Sequence, residues 1–455
     1  MTLEEIKLKR NMSAFRTVIT GIGLVTPFGS TLESLWTGLY SGANAIALLP
    51  EELTQLSEVI RFGSYCHEFS GDIENFGELE KELKRNIRKS AKIMCRETQM
   101  AVACAQKALS DASLHFTEPQ RRVGMMYGSD YMLSEPEATF GAYAASRDEN
   151  GEFDIRNMGS RGKEKVAPLW LLVWLPNMPA CHISILNQFL GPNDSLTMNE
   201  SSANATLKYA HETIARGWAD IMITGATGTR LQSIRTWQVA ISEQLAPKDA
   251  DPETVCCPFD KRHSGQVLGE GAGTFILESL SHAQERGAKI YAEFLAGADT
   301  MVGTHTPDLE KFNLVPNYRQ GFVNVLKKVL ADSGKTVDQI GFIHAHGLGV
   351  PEVDRAEAEA IREVFAERST PIPVVAAKAA FGNLGAGAGA IELAAGIEAL
   401  RKGVLFPTRN FQEADEGCEL NIVTDCETPA GDCFINLSTN FQGQTSAALL
   451  GAYRD

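Results

Sequence analysis

The chain lacks several features that would assign it quickly, and each absence excludes a class. No CxxC pair occurs among its nine cysteines, Cys66, Cys95, Cys104, Cys181, Cys256, Cys257, Cys418, Cys426 and Cys433, and their number is odd. That argues against a disulfide framework or a zinc site and for reduced thiols in a cytoplasmic setting. No apolar run reaches membrane length. The longest, VAPLWLLVWLP from Val166 to Pro176, is too short to span a bilayer and carries a proline near each edge. The N-terminus, MTLEEIKLKRNMSAF, has no apolar core and does not read as a signal peptide. Residues 1–14 read as an extension, with Met12 as a second possible start. Basic charge is in deficit: 57 acidic against 42 basic residues give a net charge of −15. An acidic body does not suit nucleic acid or an anionic membrane. There is no GxxxxGK[ST] and no GxGxxG opening a helix after the first strand, so neither nucleotide fingerprint is present. No metal or cofactor is expected.

What is there is ordinary globular composition, 44% hydrophobic and 22% charged over 455 residues. Strand patterns fall at Arg16–Gly23, Ala219–Gly225, Lys289–Ala296, Gly341–Ala345, Ile372–Ala376 and Cys433–Thr439. Helical patterns fall at Thr31–Tyr40, Leu83–Leu109, Ser201–Arg216, Asp354–Ala366 and Gly389–Lys402. Residues 145–165 read as an irregular excursion. Strands alternating with helices over the whole length imply an α/β protein with a parallel or mixed sheet.

Three glycine-rich stretches, GQVLGEGAG, FGNLGAGAGA and TNFQGQTSAA, are each most simply tight turns. Their order in one chain is more informative. His346, in IHAHGLG, follows a strand and precedes a glycine, which suits an active-site loop, although a lone histidine is more often structural. Lys378 lies among alanines and needs a partner if buried; Glu392 can supply it.

Taken in order, VITGIGLVTPFG, PNMPACHISILNQFLGPN, GWADIMITGAT, CCPFDKRHSGQVLGEGAG, HAHGLGVPEVDRAEAEAI, KAAFGNLGAGAGAIE and NFQGQTS make the chain resemble the elongating β-ketoacyl-acyl-carrier-protein synthases over roughly residues 15–453. The resemblance implies a thiolase-like five-layer α-β-α-β-α fold of two similar halves, 15–285 and 286–455, and a dimer built edge to edge. It also implies a cysteine nucleophile at a helix N-terminus, where the dipole favours a thiolate, and two histidines for decarboxylation.

This sequence departs from that pattern. Counting back from Gly217 places Glu200 at the nucleophile position; a shift of one would give Ser201, and Glu200 needs no gap. Neither is a cysteine, and a glutamate does not form the acyl thioester. The first histidine is kept as His346; the second position is Asn383, which donates a hydrogen bond but exchanges no proton. Lys378 and Glu392 match the family's structural ion pair, and Asp354 and Glu357 its acidic loop residues. The two threonines expected along the pantetheine arm are Leu348 and Val350, and the gating phenylalanine is Gln442. All these departures touch the acyl and pantetheine channel, while the glycine scaffold and ion pair remain.

The resemblance therefore implies a chain-length-factor-like, condensation-inactive subunit. Its expected partners are an active ketosynthase, in a heterodimer, and an acyl carrier protein, in bacterial type II polyketide or specialised fatty-acid or lipid biosynthesis. Residues around Glu200 and in Leu169–Ile185 would lie near the dimer interface. Two alternatives are a ketosynthase-like malonyl-carrier decarboxylase and a silent homodimeric acyl-binding scaffold. Carrier proteins are acidic, so docking needs local basic charge. The run Lys81–Arg96 offers it through Lys84, Arg85, Arg88, Lys89 and Lys92; the bland reading is a solvated helix face.

Overall fold

The segment TVITGIGLV forms a strand, Thr17–Val25, buried along its whole length. A strand covered on both faces reads as a continuous apolar run without alternation. Helix Arg96–Asp111 covers one face. At Gly23 an added Cβ would sit 2.0 Å from the Cys104 carbonyl oxygen, so only glycine lets that helix lie so close. The structure is a computed structural model describing residues 15–54, 59–305 and 314–454. The expected N-terminal extension lies outside the described residues.

The main sheet has eleven strands. From its N-terminal rim inwards run Asn193–Leu196, Val123–Ser129, Ile221–Thr229, Glu270–Ser279 and Thr17–Val25. From the other rim run Asn421–Ile422, Pro373–Val375, Phe342–His344, Cys433–Thr439, Gln444–Gly451 and Ala292–Met301. Setting aside the two-residue Asn421–Ile422, both halves follow one plan. The second strand in chain order pairs in parallel with the third and fourth, the fifth is antiparallel to the fourth, and the first is antiparallel to the fifth. The halves join where Thr17–Ile19 pairs with Ala292–Phe294.

Two helices, Ser202–Ala215 and Ala386–Lys402, pack on each other and against strands of both halves, so they form the middle layer. Helices such as Arg96–Asp111 on one side and Tyr318–Ser333 on the other form the outer layers. This is the five-layer thiolase-like arrangement of two similar halves. A helix enclosed on all sides must be thin and apolar. AGAGAIELAAGIEAL meets that need, and all fifteen residues from Ala386 to Leu400 are buried.

Some elements depart from expectation. The helix expected over Leu83–Leu109 is two helices, Lys81–Ser90 and Arg96–Asp111. Between them a 3₁₀ turn gives way to extended backbone at Met94 and Cys95. Both side chains are buried, and Arg96 turns to pair with Glu270 at 2.6 Å. Tertiary burial thus overrides a helical pattern that continues through the break. Within 145–165, residues 155–165 are short helical turns. Two helices begin earlier than expected, at Pro351 and at Ala386. The strand expected at Lys289 begins at Ala292. Among the described residues no helix is long and apolar enough to cross a membrane.

Candidate functional site

After strand Asn193–Leu196 the chain turns sharply. Asn199 takes φ 48°, a left-handed value unusual for a residue with a side chain, and its amide oxygen accepts from Arg235 at 3.2 Å. A 3₁₀ turn, Asn199–Ser201, then leads into helix Ser202–Ala215. Glu200 is therefore held at the entrance to the central helix, where orphan N–H groups favour a carboxylate. It is 1% exposed.

Five buried side chains close a ring there. The Arg230 guanidinium donates to Glu200 through one nitrogen and to both oxygens of Glu243 through another, at 3.0 and 3.1 Å. Gln266 donates to Glu243 at 2.8 Å. The Asn383 amide nitrogen donates to Gln266 and to Glu200, each at 2.7 Å. Both Asn383 amide hydrogens are thereby used, so the residue has no donor left for a substrate carbonyl. Burial opposes the charge on Arg230, and the carboxylates of Glu200 and Glu243 outweigh it.

Beside this ring lies the second cluster. Lys378 pairs with Glu392 and donates to the His346 carbonyl at 2.8 Å. Glu357 accepts from the His346 and Gly347 N–H groups at 2.6 and 2.9 Å, and Asp354 from Leu348 and Gly349 at 3.0 and 3.1 Å. These two acids thus fix the loop that carries His346. Burial first, then the Lys378 and Arg230 charges, hold the imidazole well below its ordinary range. It is a neutral ring.

Glu200 opens onto a cleft of about 910 Å³. Leu348, Val350 and Gln442 line it as well, so the structure brings the three expected channel positions to the same space. Leu348 and Val350 pack with Val353 and Tyr318, and Gln442 is exposed at the rim. His346, Asn383, Lys378 and Glu392 lie outside the lining. So do the basic residues: Arg85, Arg88, Lys89 and Lys92 are exposed and Lys84 is half-buried, on and just after helix Lys81–Ser90. Leu169–Ile185 forms the helical segments Trp170–Trp174 and Met178–Asn187 away from the cleft, with Leu169, Leu171 and Ile185 exposed.

Sequence reasoning missed Arg230, Glu243 and Gln266. The one available signal was an arginine directly after the fully buried strand Ile221–Thr229, where a charge must find a partner. No cysteine lines the cleft, and among the described residues no group of three or more His, Cys, Asp and Glu is placed to hold a metal ion.

Burial also sets a pH dependence. It lowers His211 to about 4 and, together with Lys378, lowers His344 to about 3. It raises Glu97, helped by Asp130, and Glu357, against its backbone donors, each to about 8. A lowered histidine loses stability as pH falls below its unfolded value of about 6.5; a raised carboxyl loses stability as pH rises from about 4.3 to its folded value. Between pH 6.5 and 8 the buried carboxyls act without opposition from these histidines. The urea midpoint is expected to fall over that interval. A midpoint that rises across it would contradict the buried neutral carboxyls.

The Beta-ketoacyl synthase, N-terminal domain model matches residues 14–283, and the C-terminal domain model matches 302–412. The chain is 28% identical over 452 residues to the 3-oxoacyl-[acyl-carrier-protein] synthase 2 of Coxiella burnetii, covering 98% of this chain and 100% of that one. Its fold is similar to a β-ketoacyl synthase from Burkholderia phymatum, with TM-score 0.80 and 24% identity, and to the ishigamide ketosynthase/chain length factor, with TM-score 0.78 and 23% identity. Each alignment covers 97% of this chain and 100% of the other.

Proposed function

The chain belongs to the β-ketoacyl synthase family, and we propose that within it the protein is a condensation-inactive, chain-length-factor-like subunit. The observation that carries this reading is Glu200, at the nucleophile position, tied to Arg230 and Asn383 in a closed buried ring. A carboxylate held there neither attacks a thioester nor leaves room for the Asn383 amide to polarise one. The active partner is a ketosynthase with its cysteine, and the pair elongates carrier-bound acyl chains in polyketide or specialised fatty-acid biosynthesis. The exposed residues of Leu169–Ile185 and the rim strand Asn193–Leu196 form the face that meets the partner.

A malonyl-carrier decarboxylase is the weaker reading. It would use His346 together with a free donor at Asn383, and that donor is already spent. Co-expression with a cysteine-bearing ketosynthase encoded beside this chain tests the proposal. A heterodimer is expected; a stable homodimer that ignores the partner counts against it.

The basic helix Lys81–Ser90 docks the acidic carrier protein in this reading. Reversing Arg88 and Lys89 to glutamate is expected to weaken carrier affinity roughly tenfold at low salt. Unchanged affinity would assign those charges to a solvated face.

A further inference from the structure

The strand that opens the C-terminal half is uncovered along one edge. Ala292–Met301 pairs with Gln444–Gly451 from Glu293 onwards, but with Thr17–Val25 only at Ala292, Glu293 and Phe294. From Leu295 to Met301 its second edge has no strand beside it among the described residues. Six consecutive residues of this strand, Phe294 to Asp299, line a cavity of about 370 Å³. Helices wall both sides. At Gly297 an added Cβ would sit 2.8 Å from Lys208 Cβ, so helix Ser202–Ala215 lies against one face. Ala296 and Ala298 pack in one cluster with Phe322 of helix Tyr318–Ser333 on the other. A slot between two helices, with a strand edge along its floor, fits an extended peptide better than a compact ligand. The first strand of the other half is covered: Thr17–Val25 is buried at every residue and helix Leu32–Tyr40 packs against it, whereas Leu295, Gly297 and Asp299 stay half-exposed.

The place where the chain enters the sheet names the occupant. Thr17, Val18 and Ile19 pair antiparallel with Phe294, Glu293 and Ala292. Continued back, this register sets Ala14 opposite Gly297, Ser13 opposite Ala298 and Met12 opposite Asp299. The sequence before Phe15 suits that lane. In IKLKRNMSA, apolar Ile6, Leu8, Met12 and Ala14 alternate with polar Lys7, Lys9, Asn11 and Ser13, which is a strand period. Lys7, Lys9 and Arg10 bring positive charge to a cavity lined by the carboxylates of Glu212, Asp299 and Asp332, two lysines and a histidine that burial keeps neutral. We propose that residues 10–14 add to this edge as a strand antiparallel to Ala292–Met301, so that the N-terminal extension straps the two halves together. The proposal goes beyond the functional reading above and does not draw on it.

The test is amide hydrogen exchange of the full chain and of its Met12→Pro, Ser13→Pro double variant, which removes a backbone donor from each edge of the added strand and leaves every described residue unchanged. In the parent, the amides of Leu295–Met301 that do not bond to Gln444–Gly451 are expected to exchange slowly. In the variant they are expected to exchange roughly tenfold faster or more, with Glu270–Ser279 unchanged as the sign of an intact fold. A synthetic peptide of residues 1–14 is expected to bind the variant and restore the protection, and not to bind the parent, whose own segment holds the edge. Equal exchange in parent and variant would overturn the proposal. So would protection that disappears on dilution, the mark of a second copy on the edge, or a scrambled peptide that binds as well as the native one.

Discussion

Replacing Arg230 with methionine is expected to cost about 3–5 kcal/mol of folding stability. The arginine is fully buried and is the cation between Glu200 and Glu243. Removing it leaves two carboxylates in the interior with no counter-charge, and breaking a buried pair from one side costs far more than replacing both sides. The companion result follows from the same physics. Adding Glu200→Gln and Glu243→Gln to Arg230→Met removes the orphaned charges and is expected to recover most of the loss. Urea unfolding of the single and triple variants separates the two. A single variant within about 1 kcal/mol of the parent would mean that the ring is not a charge-balanced unit, since surface substitutions fall in that range.

Lys378→Met is expected to have an effect of the same size. Lys378 is 1% exposed, pairs with Glu392 on the central helix Ala386–Lys402 and donates to the His346 carbonyl. Its loss strands Glu392, itself fully buried, inside the central helix, again at about 3–5 kcal/mol. A second readout distinguishes this site from a merely structural pair. The Lys378 charge stands next to burial among the causes that hold His346 below its ordinary range. Nuclear magnetic resonance titration of Lys378→Met with Glu392→Gln should therefore show the His346 imidazole protonating at higher pH than in the parent. No movement would mean that burial alone sets its state.

Much of the fold was legible because its buried strands are continuous apolar runs and its glycine stretches come in a recognisable order. The count back from Gly217 reached Glu200 because a single 3₁₀ turn joins it to an uninterrupted helix ending one residue before Arg216. Lys378 and Glu392 were legible as charges in apolar surroundings that required each other. The ring was not. Arg230 follows a strand, Glu243 follows helix Ser233–Ser242, Gln266 lies in a glycine-rich stretch and Asn383 follows the short helix Lys378–Phe381. Only the fold brings these side chains together, and each taken alone is an ordinary polar residue. The break at Met94 and Cys95 was hidden for the opposite reason: both residues suit the apolar pattern on either side. Strands Val123–Ser129, Glu270–Ser279 and Gln444–Gly451 were also missed, the last two because they begin inside glycine-rich stretches read as tight turns, and so was the rim strand Asn193–Leu196, whose NDSL sequence has little strand character.

The measurement that tests the account most directly is the intact mass of each subunit in the co-purified pair after incubation with acyl-carrier protein. On the proposed reading, in which Glu200 stands at the nucleophile position, the acyl adduct is expected on the partner's cysteine and absent from this chain. An acyl adduct on this chain, lost on Glu200→Gln or on replacement of one of its own cysteines, would contradict the reading of it as condensation-inactive.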